Sequence, residues 1–181
     1  QEDLVDALLA GRDVLGVMPT GAGKSVCYQL PALLLPGITL VLSPLISLMK
    51  DQVASLTQAG IPAAFINSTL SPEQYREVFR RARRGAYKLI YAAPERLETP
   101  EFLRFAKEVE ISLLAVDEAH CVSQWGQDFR PSYLKIADFL QQLPYRPPVG
   151  AFTATATRQV KEDIRQLLLL RDPLRLTTGF D

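Results

Sequence analysis

The chain has 181 residues, with 20 Lys+Arg against 20 Asp+Glu, one His, two Cys, 48 % apolar residues and 22 % charged ones. That length suits one domain, or one domain of something longer, and the apolar fraction supports a real core, which excludes a disordered chain and a disulfide-stapled mini-protein. Cys27 and Cys121 stand far apart beside a single His, too few ligands for a zinc site, and the two thiols suit a reducing interior. Zero net charge hides an asymmetry: Arg76 to Arg96 holds seven basic residues against Glu77 and Glu95, and Leu97 to Asp128 holds seven acidic residues against Arg104 and Lys107. A polyanion partner is neither demanded nor excluded by the total.

Leu4, Val5, Leu8 and Leu9 form a helical stripe ended by Gly11, and Asp13 to Met18 reads as a short strand. A helix is expected from about Lys24 to Leu35, a strand over Ile38–Leu42, a helix over Leu45–Gln58 stopped by Gly60, and a brief strand over Ala63–Ile66. Ser71-Pro72-Glu73-Gln74 is a helix start with a capping Ser, Pro at the first helical position and Gln three residues after the cap. That helix runs to about Arg84. Tyr87–Ala92 follows as a strand, Pro100–Val109 as a helix and Ile111–Val116 as a buried strand. Ser132–Leu143 is predicted helical, Val149–Thr153 a strand, Thr157–Leu170 the last long helix, and Leu174–Thr177 a short closing strand.

Strands and helices alternating in this way imply a parallel sheet with right-handed crossovers and helices on both faces, an α/β three-layer domain. Ser25 to Met49 carries no charge and is long enough to span a bilayer, but Pro31, Pro36, Gly37 and Pro44 interrupt it, so a core helix and strand explain it better than a membrane span. No signal peptide is expected, and both ends have the look of cuts.

Directly after the first strand comes Met18-Pro19-Thr20-Gly21-Ala22-Gly23-Lys24-Ser25, opening into a helix. Gly21 and Gly23 permit the close backbone path that turns N–H groups toward a phosphate, with Lys24 reaching the β and γ phosphates and the Ser25 hydroxyl ligating Mg²⁺. Met18 stands where the usual pattern has its first Gly; the alternative is a Gly-rich turn with an incidental Lys. A nucleotide triphosphatase also needs a carboxylate for its metal and a base for its water. Asp117-Glu118 follow the apolar strand Leu113–Val116, and in a parallel sheet they, the phosphate loop and Thr153-Ala154-Thr155 converge on one edge. A strand-end Asp-Glu pair is commonly a cap or solvated turn; its pairing with Lys24 favours Asp117 holding Mg²⁺ through water and Glu118 polarising the lytic water.

Trp125, Phe129 and Tyr133 are spaced as a helical stripe would be, but Gly126 and Pro131 favour a loop whose rings stack on unpaired bases, with ordinary packing as the alternative. Ser43-Pro44, Ser47 and Lys50 follow another strand end and suit either phosphate contacts or a capped helix start. Arg76, Arg80, Arg83 and Arg84 share one helical face, a pattern typical of solvated surface. Cys27 and Cys121 suit small buried fillers.

Six segments occur in order: 18–25, Leu-Ser-Pro-Leu-Ile-Ser-Leu-Met-Lys-Asp-Gln (42–52), Ala-Pro-Glu-Arg-Leu (93–97), Asp-Glu-Ala-His (117–120), Ser-Gln-Trp-Gly-Gln-Asp-Phe-Arg-Pro-Ser-Tyr (123–133) and Phe-Thr-Ala-Thr-Ala-Thr (152–157). Together they resemble the first RecA-like domain of RecQ-family superfamily 2 DNA helicases over nearly the whole chain. The resemblance implies a RecA-like P-loop NTPase fold and ATP- and Mg²⁺-driven 3′-to-5′ unwinding of single-stranded or partly duplex DNA. It further implies that Gln1 reads adenine, that Phe129 and Arg130 relay DNA binding to hydrolysis, and that His120 links the acidic motif to Thr153 and Thr155. By it residues 1–181 are half of a motor, lacking the second RecA-like domain with its arginine finger and the zinc and winged-helix modules; alone they are expected to turn over ATP poorly. A cytoplasmic or nuclear location beside DNA, without membrane, goes with that reading. The rivals are an RNA- or double-strand-directed translocase of the same superfamily, a P-loop nucleotide switch and a non-catalytic binding module.

Overall fold

A computed structural model describes residues 2–19 and 22–178; the candidates Gln1, Thr20 and Gly21 lie outside the described residues. In chain order the elements are α1 (Glu2–Leu9), β1 (Val14–Val17), α2 (Ala22–Leu34), β2 (Ile38–Leu42), α3 (Ile46–Gln58), β3 (Ala63–Ile66) and α4 (Pro72–Arg83). They continue as β4 (Leu89–Ala92), α5 (Pro100–Glu108), β5 (Ile111–Val116), α6 (Ile136–Gln142), β6 (Val149–Thr153), α7 (Arg158–Leu167) and β7 (Leu174–Thr177).

The seven strands form one sheet in the order β3-β4-β2-β5-β6-β1-β7, and every described pairing is parallel. β1, β2, β4, β5 and β6 are apolar and almost wholly buried, because helices cover both faces. On one face Leu4, Leu8, Tyr28, Ala32, Met49 and Leu56 of α1–α3 pack on the sheet. On the other, Phe79, Phe102, Phe105, Phe139 and Ile164 do so from α4–α7. Among the described residues no helix is long and apolar enough to cross a membrane; the charge-free stretch is α2, β2 and the start of α3.

The expected elements are present, with shifted ends. Ser71 caps α4 through a complete capping box with Gln74 and Pro72 in the first turn. α2 begins at Ala22, two residues before the expected Lys24, and α7 ends at Leu167, with Leu169 at φ 58° turning the chain out. The helix expected over Ser132–Leu143 is divided into a 3-10 turn, Pro131–Lys135, and the short α6. The tighter winding of that turn goes with the burial of Tyr133, and two further 3-10 turns, Pro94–Glu98 and Ala119–Val122, follow β4 and β5.

Two of the four arginines on the arginine face of α4, Arg80 and Arg83, are paired with the protein's own acids. Arg80 and Arg81 both reach Glu77, and Arg83 pairs with Glu108 and lies over the Phe105 ring. Such exposed pairs add little stability.

Candidate active site

Strand order decides what meets at the carboxyl edge. β6 lies between β1 and β5, so the loop after β1 and the acidic pair after β5 flank the end of β6, and the Met18 N–H donates to the Thr153 carbonyl at 2.9 Å. Lys24, in the first turn of α2, is 6 % exposed and places its Nζ 3.2 Å from both Asp117 Oδ1 and Glu118 Oε1. The three groups expected to act together are therefore in direct contact.

Asp117 is equally buried. Its N–H donates to the Leu42 carbonyl at 2.8 Å, and its Oδ1 accepts from the Glu118 N–H at 3.0 Å. Glu118 has φ 52° and ψ 46°, a left-handed conformation that costs a residue with a Cβ about 1–2 kcal/mol. His120 Nδ1 is 2.6 Å from Thr153 Oγ1 and 3.6 Å from Glu118 Oε2, and Thr153 Oγ1 donates to the Thr155 carbonyl at 3.2 Å. Thr155 joins this chain through its main chain, its residue being exposed.

Burial raises the Asp117 carboxyl above its ordinary value although Lys24 pulls it down, and Glu118 beside it raises it further. Burial works against the Lys24 ammonium, yet Asp117 and Glu118 outweigh it and hold its pKa above the ordinary lysine value. The consequence for stability has a definite sign. With a raised native pKa, Asp117 binds its proton more tightly in the folded state, so its ionised form costs stability near neutrality, and the cost fades as pH falls through that raised value. Asp117→Asn removes that cost and is expected to raise Tm at pH ~7.5. The advantage over the wild-type protein should shrink on acidification; thermal unfolding of both proteins across pH checks it, and a Tm below wild type at neutral pH contradicts it.

Several candidates take up other duties. Met18 is buried, packs over Gly16 and accepts a weak contact from Cys27 Sγ at 3.8 Å, so its side chain fills core rather than lining a phosphate path. Pro19 is exposed, Gly23 and Ser25 are half-buried, and Ala22 and Gly23 lie inside the first turn of α2, whose N-terminus opens at this edge. Cys27 Sγ also donates to the Gly23 carbonyl at 3.3 Å. Below the loop, Tyr28 and Tyr91 hydroxyls lie 3.5 Å apart, with Gln29 Nε2 donating to Tyr91 at 3.1 Å. Sequence alone offered no sign of that buried polar group, because Tyr91 sits mid-strand.

Ser43 and Pro44 are buried, and the Ser43 hydroxyl accepts from the Leu45 N–H at 3.3 Å within its own loop. Ser47 and Lys50 are exposed on α3. Leu45 precedes α3 with no side-chain cap bond, so the alternative of a capped helix start is not realised at that position.

The aromatic residues divide. Trp125 is 74 % exposed, Phe129 is half-buried and Tyr133 is fully buried, its hydroxyl donating to the Asp117 carbonyl at 2.8 Å. Tyr133 is thus no stacking platform: its place among the base-contacting rings is corrected by its burial. Gly126 lets the loop lie on the preceding turn, since a Cβ there would stand 2.8 Å from the His120 carbonyl oxygen. A cleft of about 340 Å³ separates His120, Trp125 and Gly126 from Thr155 and Thr157. Arg130 pairs with Asp128 at 3.1 Å within the loop. Burial, with Asp128 nearby, pushes the Cys121 thiol up to about 12, so it stays protonated as a core filler. Ser123, the first residue of the 123–133 segment and given no role of its own there, is fully buried: its hydroxyl donates to Asp163 Oδ2 on α7 at 2.7 Å and accepts from the Trp125 N–H at 3.1 Å.

Residues 1–163 match the family model described as DEAD/DEAH box helicase. The chain is similar to the ATP-dependent DNA helicase RecQ of Bacillus subtilis, 52 % identical over 164 residues that cover 91 % of this chain and 28 % of that protein. The RecQ of Pasteurella multocida is 44 % identical over 181 residues, 100 % of this chain and again 28 % of that protein. In fold, the chain resembles the DUF1998 helicase MrfA, solved bound to DNA and AMPPNP, with a TM-score of 0.76 and 18 % identity over 99 % of this chain and 26 % of that one. It spans little more than a quarter of the length of these relatives.

Proposed function

As this chain belongs to the DEAD/DEAH box helicase family, we propose that it is the ATP-binding motor half of a RecQ-type 3′-to-5′ DNA helicase acting in recombination and repair. The observation that carries this reading is the contact of Lys24 with Asp117 and Glu118 at one sheet edge, next to a loop that offers the exposed Trp125 ring. The short span relative to the RecQ proteins supports a second RecA-like domain in the parent chain, which completes the ATP pocket and brings the arginine finger. The working place is wherever the DNA is: the bacterial cytoplasm or the eukaryotic nucleus.

Phosphoryl transfer rests on positioning and on neutralising charge rather than on covalent participation by the protein. Lys24 already sits between two anions, and the triphosphate of ATP supplies an anionic replacement for them. The oxygen donors suit a hard cation: the Ser25 hydroxyl and the Asp117 carboxylate, the latter through water, would hold Mg²⁺, which when bound offsets charge on the β and γ phosphates. Glu118, freed from Lys24, orients and polarises the attacking water. Gln1, outside the described residues, is assigned to adenine, and the backbone of 18–25 to the phosphates. His120 and Thr153, bonded across the strand ends, tie the acidic turn to the end of β6 and thus to the Thr155 segment that faces the cleft.

Single-stranded DNA is assigned to Trp125 and Phe129 by stacking, with Arg130 as relay and Ser47 and Lys50 toward the phosphates. Trp125→Ala in the full-length parent is expected to leave DNA-free ATP hydrolysis unchanged and to cut its stimulation by single-stranded DNA about tenfold. Steady-state ATPase assays with DNA and with RNA test this. Unaltered stimulation counts against the stacking role, and stronger stimulation by RNA favours an RNA-directed translocase.

A further inference from the structure

The main chain of the Asp117–Glu118 pair is held by a residue outside the site itself. Tyr133 stands in the 3-10 turn at which the aromatic loop ends, and its hydroxyl grips the Asp117 carbonyl at 2.8 Å. On the opposite side of the same peptide plane the Glu118 N–H is held by Asp117 Oδ1 at 3.0 Å. Both polar groups of that plane are thus engaged, and Glu118 beyond it sits at φ 52°. A left-handed residue with a Cβ persists only where its surroundings over-determine it, and here the two bonds supply that determination. Rotation of the plane would break both and swing the Glu118 carboxylate away from Lys24 at 3.2 Å and His120 at 3.6 Å.

The loop that leads to Tyr133 has firm feet. Ser123 fastens its start to Asp163, the Arg130 N–H donates to the Cys121 carbonyl at 2.9 Å, and the Tyr133 N–H donates to the Arg130 carbonyl at 3.0 Å. Between those feet stands Trp125, free to be engaged from solution. The Tyr133 ring at the loop's end is fully buried, which fixes the hydroxyl in place against the Asp117 carbonyl.

We propose that Tyr133 is a positioning residue: its hydroxyl holds the Asp117–Glu118 peptide in the orientation that aims the Glu118 carboxylate. This rests on the function proposed above, in which Glu118 serves hydrolysis and the loop meets DNA. The ring also fills core space, so the hydroxyl is the atom to remove.

In the full-length parent, Tyr133→Phe is expected to lower kcat of DNA-stimulated ATP hydrolysis about fivefold or more, while KM for ATP and affinity for single-stranded DNA stay close to wild type and Tm falls by only a few degrees, the effect of one buried acceptor left unpaired. Amide hydrogen exchange at Glu118 should quicken in the same variant, since one of the two bonds on its peptide is gone. A stimulated kcat within about twofold of wild type, beside an inactive Glu118→Gln control, overturns the proposal and leaves the underlying function standing. So does a parallel loss of ATP or DNA affinity, which marks a packing role. An active Glu118→Gln protein instead sinks the functional reading itself, and the role of Tyr133 with it.

Discussion

Lys24→Ala is expected to lower DNA-stimulated ATP turnover of the full-length parent by about a hundredfold or more, the scale on which removing one group that stabilises transition-state charge is felt. The ammonium is nearly enclosed and faces two carboxylates at 3.2 Å each. Without it, two acids lie side by side with no counter-charge, one of them already pushed toward protonation by burial. The triphosphate likewise loses its cation. Lys24→Arg is not a conservative rescue, because a planar fork cannot occupy a place shaped for a compact point charge. Steady-state ATP hydrolysis at saturating single-stranded DNA, with Tm as a check on folding, measures the effect. Turnover within about tenfold of wild type in a folded Lys24→Ala protein would remove Lys24 from the centre of the mechanism.

The second large effect lies at the opposite, amino-terminal edge of the sheet. Asp13 is 2 % exposed and pairs with Arg146 through both oxygens, at 3.0 and 2.6 Å. Its oxygens also accept from the N–H groups of Val149 at 2.9 Å and Arg171 at 2.7 Å. One carboxylate thereby joins the start of β1, the start of β6 and the segment entering β7. Asp13→Ala takes its counter-charge from the half-buried Arg146 guanidinium, which keeps only the Leu169 and Pro147 carbonyls, and leaves two main-chain donors without partners, a change worth about 3 kcal/mol. At roughly 2–4 °C per kcal/mol for a chain of this size, Tm should fall by about 10 °C. Because the clasp is remote from Lys24 and Glu118, specific activity at temperatures below the transition should survive. A Tm within about 2 °C of wild type would show that the clasp adds nothing net.

These two residues differ in how far they were legible in one dimension. Lys24 announced itself: a strand, a Gly-containing turn and a helix start leave little else for a Lys at that position to do, and Asp117-Glu118 at the end of an apolar strand supplied its counterpart. Asp13 had no such frame, since its partner lies more than a hundred residues away and neither residue belongs to a motif. The same division runs through the aromatic loop. Its residue types suggested base stacking for three rings, yet only the packing of the turn Pro131–Lys135 distinguished exposed Trp125 from buried Tyr133. Ser43 shows it again: its burial and its bond to the Leu45 amide follow from the loop's packing, which its motif position did not express.

By itself, then, the amino-acid sequence determined the alternation of strands and helices, the parallel sheet and the pairing of Lys24 with Asp117 and Glu118. These follow from local hydrophobic periodicity and from the rule that parallel strands end on one edge. Only the tertiary structure decided that Tyr133 and Met18 belong to the interior, that Glu118 adopts a left-handed backbone and that Asp13 clasps Arg146. Those outcomes depend on which atoms meet after distant segments have packed, and a side chain's exposure and hydrogen-bond partners are properties of that packing rather than of its neighbours in the chain.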